Sequence, residues 1–288
     1  MSDEDIQQQE IDIELHEKQA KKLIRQRRVR GKQTHLKHIH TLCRFTLSSL
    51  LLVGCYYFLK LPGWYLPQDA FTHSDSDIIK IYNNNVVPDE KVYKMLSGYE
   101  VSGYPIFAEK PEAIKKLVME LPPVKDVYVR RYAFPARLDL IIKERIPVLT
   151  ISPDIDVTPV AYFTQDGALI GKEYAPYITK FQTLLVLSYG NRGDDYHKWD
   201  KNKTEEFLQF AKYVETLSKE KIEYIDYRNP DDVFVKIPSV KIRIGKLNKN
   251  AYDCIRKLPS ILPEIKLMDE KIKYLDLRWK DPYLKLAE

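Results

Sequence analysis

An uncharged run of fifteen residues, Phe45–Leu59, constrains this chain more than any other feature. A helix that crosses a membrane needs about 20 predominantly apolar residues, so the run needs its flanks to complete the span. Arg44 and Lys60 border the run, and such side chains bury their alkyl stems while the charge reaches the headgroups. Tyr and Trp residues occur at its far end, as in interfacial aromatic belts. We therefore predict a single transmembrane helix, a signal anchor, over residues 44–62.

The charges around this segment predict its orientation. Ten Lys and Arg residues and no carboxylate lie between Lys18 and Arg44, whereas residues 1–17 contain seven carboxylates. Because positively charged flanks stay in the cytoplasm, we predict a cytoplasmic basic arm over residues 1–43 and an extracytoplasmic remainder. Residues 61–288 carry 35 basic and 34 acidic side chains, so the basic character belongs to the arm. We expect contact with the cytoplasmic membrane and no nucleic-acid partner.

Three other interpretations of the apolar run stay open beside the signal anchor. A cleaved signal peptide is disfavoured, because the segment before the run is long and no Ala-x-Ala site follows it. The residues Leu52–Cys55 resemble a lipid-attachment site on Cys55, but the apolar run continues to Leu59, where a lipoprotein turns polar. A buried helix of a soluble domain is the third alternative. We favour the anchor over all three.

Residues 77–146 predict a small module that contains both helices and strands. A short strand at 77–82 leads to an Asn-rich turn, where Asn83 tolerates a positive φ. Two amphipathic helices follow, one beginning at Pro88 and the other at Pro111. Two alternating strands then form a charged hairpin. The order β-α-α-β-β predicts a three-stranded sheet with two helices on one face, and the charged side chains of the hairpin lie on the other, solvated face.

The remaining segments are a polar linker at 63–76 and a β-rich domain with flanking helices at 147–288. Strand-like runs in this domain alternate with turns and include PVLTIS, VAYFTQDGALI and TLLVLSY. A helix at 204–218 has one apolar face, and Thr204 is its predicted N-cap. The predicted fold class is therefore α+β, with a transmembrane helix and two extracytoplasmic domains.

An internal repeat organises the end of the chain. Residues 221–236 align without a gap to residues 271–286, and each copy follows an amphipathic helix. The repeat predicts two helix–strand–turn–strand units in one sheet. Each copy contains an Asp-x-Arg pair, which we interpret as a surface ion pair rather than a catalytic pair. The two pairs are Asp226 with Arg228 and Asp276 with Arg278.

The second copy predicts a binding edge. In the first copy a further strand, Val240–Ile244, follows and can pair with the hairpin, whereas Ala287 and Glu288 follow the second copy. We therefore expect its last strand to lie at or near a sheet edge, where Pro282 is tolerated. Exposed edges are templates for strand addition. The predicted partner-binding residues are Trp279, Tyr283, Leu284 and Lys285; the alternative is that these side chains cover the core.

Sequence signals for catalysis or cofactor binding are weak. His73 and His197 lie on unrelated predicted loops, which leaves no His-based triad in the large region. The chain has no G-x-S-x-G, P-loop or G-x-G-x-x-G pattern. His35, His38 and His40 could bind a metal, but a polar flank beside a membrane accounts for them more simply. We expect no enzyme activity, no cofactor, no metal and no small-molecule substrate.

The ordered set of features resembles the FtsQ/DivIB family of bacterial cell-division proteins over roughly residues 41–288. The resemblance rests on LPPVKDVYVRRYAFPARLDLIIKERIPV, with its Pro-Val start, its Arg before an aromatic-Pro turn and its closing Glu-Arg-x-Pro. It also rests on YFTQDGALI, on IDYRNPDDVFVKI with IRIGK, and on YLDLR. The chain departs from the pattern at Asn83, where the family has Gly, and at Leu149, where a small residue is common. Residues 1–40 match nothing.

The resemblance implies a POTRA-like domain at 77–146 and a C-terminal β domain at 147–288. It further implies a bitopic, non-enzymatic divisome scaffold in the bacterial cytoplasmic membrane, located at the division septum. Such proteins bind FtsB/FtsL-type partners through the last strand of the β domain. An envelope POTRA module for secretion or surface-protein assembly is the alternative function. That alternative normally brings a transmembrane β-barrel or tandem POTRA modules, which the sequence does not indicate.

Overall fold

The computed structural model describes residues 18, 21–23, 25, 39–72, 77–190, 195–268 and 272–287. The chain divides into two compact units, residues 1–64 and residues 65–288. Most of the predicted basic arm lies outside the described residues, and so do three of the histidines considered above. These are His35, His38 and His73.

Helix α1 (Ile39–Leu59) is the main described element of the first unit, and all its residues are exposed. It has 21 residues, and its most apolar window of 18 residues has a mean hydropathy of 1.5. At 1.5 Å per residue such a helix extends about 30 Å, the thickness of a hydrocarbon core. Thr46 Oγ1 donates to Cys43 O at 3.0 Å and Ser48 Oγ donates to Arg44 O at 2.8 Å, so both hydroxyls are satisfied within the helix. Among the described residues, α1 is the one helix long and apolar enough to cross a membrane.

The second unit begins with the predicted β-α-α-β-β module, which confirms the order of its elements. They are β1 (Ile79–Tyr82), α2 (Asp89–Leu96), α3 (Pro111–Met119), β2 (Val124–Tyr132) and β3 (Arg137–Glu144). β3 lies in the centre of a three-stranded sheet, parallel to β1 and antiparallel to β2. Asn83 follows β1 with a φ of 62°, the left-handed conformation expected for this turn.

The core of this module lies between its two helices and one face of its sheet. The i, i+3, i+4 spacing of apolar residues puts one stripe of each helix against alternate residues of β2 and β3. The buried side chains are Val92, Leu96, Ile114, Val118, Val127, Leu138, Leu140 and Ile142. The opposite sheet face carries Tyr128, Arg130 and Arg137 and is the more exposed one, as predicted.

A nine-stranded mixed sheet forms the β-rich domain, in the order β12-β11-β10-β9-β8-β7-β4-β5-β6. Its strands are β4 (Pro147–Ser152), β5 (Ala161–Thr164), β6 (Leu169–Gly171), β7 (Leu184–Leu187), β8 (Tyr224–Asp226), β9 (Val233–Lys236), β10 (Lys241–Gly245), β11 (Ile272–Asp276) and β12 (Tyr283–Leu286). Its helices are α4 (Ala175–Ile178), α5 (Lys201–Ser218), α6 (Lys249–Ile255) and α7 (Leu258–Leu267). Side chains of α5, α6 and α7 pack in one core with alternate residues of the strands.

The start of α5 differs from the prediction. Asp200, not Thr204, is the N-cap: its backbone is extended, and its side chain accepts a hydrogen bond from Lys203 N at 2.9 Å. Thr204 lies one turn inside the helix, fully buried, and its hydroxyl donates to Asp200 O at 3.2 Å. Asp is as good a cap as Thr, and the polar residues between them continue the helix without an apolar signal.

Glu144 and Arg145 lie between β3 and β4, where the sequence predicts the junction of two domains. Glu144 accepts hydrogen bonds at 2.8–2.9 Å from the backbone N–H groups of three successive residues, 85–87, just before α2. Arg145 Nε donates to Val124 O at 3.1 Å, and its guanidinium pairs with Asp166 in the β5–β6 turn. The closing Glu-Arg of the β-α-α-β-β module thus ties its first loop to the neighbouring domain.

Candidate partner-binding surface

The two repeat copies form two antiparallel hairpins, β8–β9 and β11–β12, in one sheet. Asp226 pairs with Phe234 in the first hairpin, and Asp276 pairs with Tyr283 in the second. Tyr283 is therefore the structural counterpart of Phe234, although the gapless alignment places Leu284 there. The connection of the second copy is one residue shorter, so the predicted gapless repeat is wrong by one position in its second strand.

Strand β12 lies at the edge of the nine-stranded sheet, as predicted. Among the strands that the structure describes, its one neighbour is β11, whereas β9 lies between β8 and β10. In antiparallel pairing, alternate residues direct their N–H and C=O groups away from the partner strand. The outer side of β12 therefore presents main-chain donors and acceptors to an added strand. Pro282 precedes β12 and takes no ladder position.

The four predicted binding residues have different environments. Trp279 and Tyr283 are 66% and 60% exposed. Leu284 is half-buried against the core under α5–α7, so it supports the strand as well as bordering the edge. Lys285 lies 5.8 Å from the centre of the Tyr274 ring. Tyr283 and Lys285 share the sheet face away from the helices, because side chains two residues apart point the same way.

The turn that carries Trp279 is held in place by a lysine. Lys257 Nζ donates to the backbone oxygens of Trp279 and Lys280, at 2.8 and 2.9 Å. Lys257 lies between α6 and α7, so the turn is tied to the helical layer rather than extended alone into solvent. The backbone that carries the exposed indole of Trp279 is thereby held in place, which reduces the cost of ordering this turn on binding.

A row of paired residues crosses the open sheet face to this edge. The register joins Phe234 to Arg243, Arg243 to Asp276 and Asp276 to Tyr283, across β9, β10, β11 and β12. Arg243 is 5.5 Å from the Phe234 ring centre and donates to Asp232 at 2.7 Å. Sequence reasoning missed Arg243 as part of this surface, although its alternation with buried Ile242 and Ile244 gave the signal.

The two predicted Asp–Arg pairs form, but their carboxylates are not on the surface. Asp226 and Asp276 are 8% and 4% exposed. Arg228 donates to Asp226 through two nitrogens at 2.8 and 2.7 Å, and Arg278 pairs with Asp276 at 2.8 Å. The prediction of surface pairs is therefore wrong in location, because neighbouring strands and the arginine stems cover the carboxylates.

These pairs keep both acids ionised. Burial acts to raise the pKa of Asp276, but hydrogen bonds from Arg278 and the charges of Arg278 and Arg243 outweigh it, and the pKa lies below its usual value. Burial likewise opposes a lowered pKa at Asp226, where Arg228 and Lys241 outweigh it. Both carboxylates are already engaged by cations, so they organise the sheet face instead of being available as an acid or a base.

Gly245 makes room for this network at the end of β10. Its φ is +74°, a conformation that disfavours residues with a side chain. A Cβ there would lie 3.2 Å from Cδ and 3.4 Å from Cγ of Arg278. Glycine therefore lets the Arg278 stem lie close over the backbone and reach Asp276.

The remaining described surface has no metal cluster and two notable clefts. No group of three or more His, Cys, Asp or Glu side chains suited to a metal ion occurs among the described residues. A cleft of about 370 Å³ lies at the domain junction beside Arg145 and Asp166, and one of about 760 Å³ lies between α5 and the start of β7. Lysines and carboxylates line the first cleft in mixed order, and neither cleft contains a histidine or a cysteine.

The comparison with protein families identifies the β-α-α-β-β module. Residues 76–145 match the family model described as POTRA domain, FtsQ-type. A comparison with curated proteins finds no match. The matched residues contain every element from β1 to β3 and end at the Glu144–Arg145 junction. The chain therefore contains an FtsQ-type POTRA domain, as its sequence resemblance implied, and this is consistent with membership of the FtsQ/DivIB family.

Proposed function

We propose that this protein is a bitopic scaffold of the bacterial division machinery, similar to FtsQ/DivIB. The observation that carries the proposal is the FtsQ-type POTRA domain, which follows a helix of membrane-spanning length in the same chain. The basic arm, residues 1–43, lies in the cytoplasm, α1 anchors the chain in the cytoplasmic membrane, and residues 61–288 act outside it at the septum. The protein recruits other division proteins and catalyses no reaction.

The partner docks by adding a strand to β12. Main-chain groups on the outer side of β12 form hydrogen bonds with the added strand and supply affinity, and side chains at alternate positions supply selectivity. Tyr283 and Trp279 are the exposed aromatic anchors, and aromatic residues dominate binding energy at interfaces. An FtsB/FtsL-type membrane protein with an extended segment outside the membrane suits this edge.

Two further observations support a binding role over an enzymatic one. Asp226 and Asp276, the carboxylates with the clearest sequence signal, are hydrogen-bonded to arginines on the sheet face. The exposed aromatic residues lie at the sheet edge rather than in a cavity. We therefore propose that no cofactor, metal or small-molecule substrate takes part.

The experiment that tests this proposal is affinity capture from detergent-solubilised membranes of the native host. The full chain is compared with a chain ending at Arg278, which lacks the turn and β12. We expect the full chain to recover FtsB/FtsL-type proteins and the shortened chain to lose them. A third variant, Tyr128→Ala, removes an aromatic side chain of similar exposure, 63%, from the POTRA edge strand and should keep the partner.

Three outcomes separate the alternatives. Recovery of secretion or surface-assembly proteins instead of division proteins would favour the envelope-assembly function. Full partner recovery by the shortened chain would show that β12 is not the docking edge, while leaving a divisome role intact. A shortened chain that has lost its cooperative thermal transition would show that β12 belongs to the core. Circular dichroism of each purified variant distinguishes this last case from lost binding.

A further inference from the structure

Exposed aromatic side chains occur in two segments of the POTRA domain that contact each other. We call this region the tip patch: residues 103–110 of the loop before α3 together with residues 130–137 of the β2–β3 hairpin. Its three aromatic side chains Tyr104, Phe107 and Phe134 are 65%, 56% and 54% exposed. Large apolar groups gathered on a surface mark a contact site.

One arginine joins the two segments of the tip patch. Arg131 Nη1 donates to Phe107 O at 2.9 Å and to Glu109 O at 2.7 Å. The loop and the hairpin turn are therefore held together as one surface, although more than twenty residues separate them in the sequence. The bonds go to neutral carbonyl oxygens, so the guanidinium keeps its positive charge.

The exposed charges of the tip patch are all positive. Its cations are Lys110, Arg130, Arg131 and Arg137, and among the described residues none of these forms an ion pair within 4 Å. The acid within the patch, Glu109, is 2% exposed and accepts hydrogen bonds from Tyr99 and Ser102. The exposed acids Glu100 and Glu112 lie outside the patch on either side. An anionic surface therefore meets four cations and no exposed carboxylate within the patch.

Phe134 lies in the β2–β3 turn and precedes a cis peptide bond to Pro135. Its φ is 53°, a conformation that is costly for an aromatic residue, and more than half of its side chain is exposed. Its exposed ring adds to the apolar surface of the tip patch.

The covalent chain keeps the tip patch near the membrane. Tyr65 forms a β-bridge with Pro105, which lies inside the patch between Tyr104 and Phe107. Tyr65 is only six residues after Leu59, the last residue of α1. Six residues span at most about 20 Å when fully extended, so the loop cannot move far from the end of the transmembrane helix.

We propose that the tip patch binds the outer surface of the membrane that contains α1. The Tyr and Phe side chains enter the interface between headgroups and acyl chains, and the Arg and Lys side chains bind anionic headgroups. This contact would fix the height and tilt of the POTRA domain, and with it the position of the β12 edge. The inference rests on the proposed topology and not on any division partner.

The test uses the full chain reconstituted into vesicles that contain phosphatidylglycerol and a lipid-attached fluorescence quencher. Cys43, Cys55 and Cys254 are replaced by Ser, and one new cysteine carries the fluorophore. The reporting positions are Ala108→Cys and Ala133→Cys, which are exposed neighbours of Phe107 and Phe134. Lys280→Cys, exposed in the β11–β12 turn, is the matched control. We expect several-fold stronger quenching at both reporting positions than at the control.

Two sets of substitutions separate the contributions. The triple variant Tyr104→Ser, Phe107→Ser and Phe134→Ser should lower quenching at both reporting positions to the control value. Arg130→Gln with Arg137→Gln should reduce the difference between phosphatidylglycerol vesicles and vesicles of phosphatidylcholine alone, because Lys110 and Arg131 remain.

Quenching at positions 108 and 133 no stronger than at position 280 in the otherwise unsubstituted patch would overturn the proposal. The tip patch would then be a candidate contact site for a protein partner instead of the membrane. Because these vesicles contain no division protein, that result would not bear on the capture experiment with β12.

Discussion

The hairpins β8–β9 and β11–β12 share one sequence pattern but have different positions in the sheet. β9 is paired on both sides, and its central residue Val235 is fully buried. Among the strands that the structure describes, β12 is paired with β11 alone, and its residue Leu284, the counterpart of Val235, is half-buried. The aromatic pair differs in the same way, because Phe234 packs against Tyr274 whereas Tyr283 is 60% exposed.

This difference separates what a local pattern determines from what its neighbours determine. The Tyr-x-Asp-x-Arg pattern produces a strand, a carboxylate–arginine pair and a turn in both copies. Whether the returning strand contributes to the core or offers a free edge depends on a further strand on its outer side: β9 has β10 there, whereas β12 has no such neighbour among the described strands. The same element is therefore structural in one place and available for binding in the other.

The largest expected effect comes from a substitution in β9, which is the buried one of the two returning strands β9 and β12. Val235→Asp places a charge at a fully buried site between the buried residues Ile225 and Ile242, so the β domain should unfold, with a loss above about 4 kcal/mol. Leu284→Asp, at the matched position of β12, should leave the domain folded because its carboxylate reaches solvent. Urea unfolding of the two purified variants measures the contrast, and equal losses would show that β12 is as much a core strand as β9.

The second effect compares Tyr283 with its counterpart Phe234. Replacing Tyr283 should lower partner affinity, and replacing Phe234 should lower stability. Tyr283→Ala should weaken binding of the captured partner by ~1–3 kcal/mol, typical of an aromatic anchor at an interface, with little change in the melting temperature. Phe234→Ala should lower the melting temperature, because its ring contacts Tyr274 and Arg243, but leave partner affinity unchanged. Titration of a partner peptide and thermal melts check both. Unchanged affinity in Tyr283→Ala would remove that residue from the docking edge.

Sequence reasoning reached the elements more easily than their exact register. The periodic apolar residues of α3 and the alternation of β2 and β3 predicted the POTRA module, because each side-chain pattern has one compatible backbone period. The repeat predicted both hairpins and the edge position of β12. It did not predict that the β11–β12 connection is one residue shorter than the β8–β9 connection, because the apolar pattern of the flanking strands does not depend on loop length.

The open sheet face shows the other limit of sequence reasoning. Asp276 meets Arg243 only after β10 and β11 pair in parallel, a contact set by tertiary register. Single-strand spacing could place Arg278 near Asp276 but could not show that the carboxylate is buried. Sequence patterns indicated the tip patch even less, because Arg131 joins segments that are distant in the chain.

The third effect tests the Asp–Arg ion pair that each hairpin contains, which in β11–β12 joins Asp276 to Arg278. The lowered pKa of Asp276 means that its ionisation stabilises the fold above the unfolded pKa, about 3.9, and that this contribution disappears as pH falls through the folded value. Asp276→Asn should therefore cost roughly 1–2 kcal/mol at pH 7 and less at pH 3. Asp281→Asn, an exposed acid in the same turn, is the control. An equal cost at both pH values would mean that charge is not the cause.

The smallest effect concerns Gly245, which lets the Arg278 side chain of the second repeat copy lie close to β10. Gly245→Ala puts a Cβ at a φ of +74° and within 3.2 Å of Arg278, so it should cost about 1 kcal/mol and loosen the Arg278–Asp276 pair. Gly98→Ala is the matched control, because no positive φ applies there and the nearest atom is 3.8 Å away. We expect a lower melting temperature for Gly245→Ala alone, together with a smaller pH dependence of stability. If both glycine variants melt alike, the close approach of Arg278 to β10 is not needed for the edge hairpin.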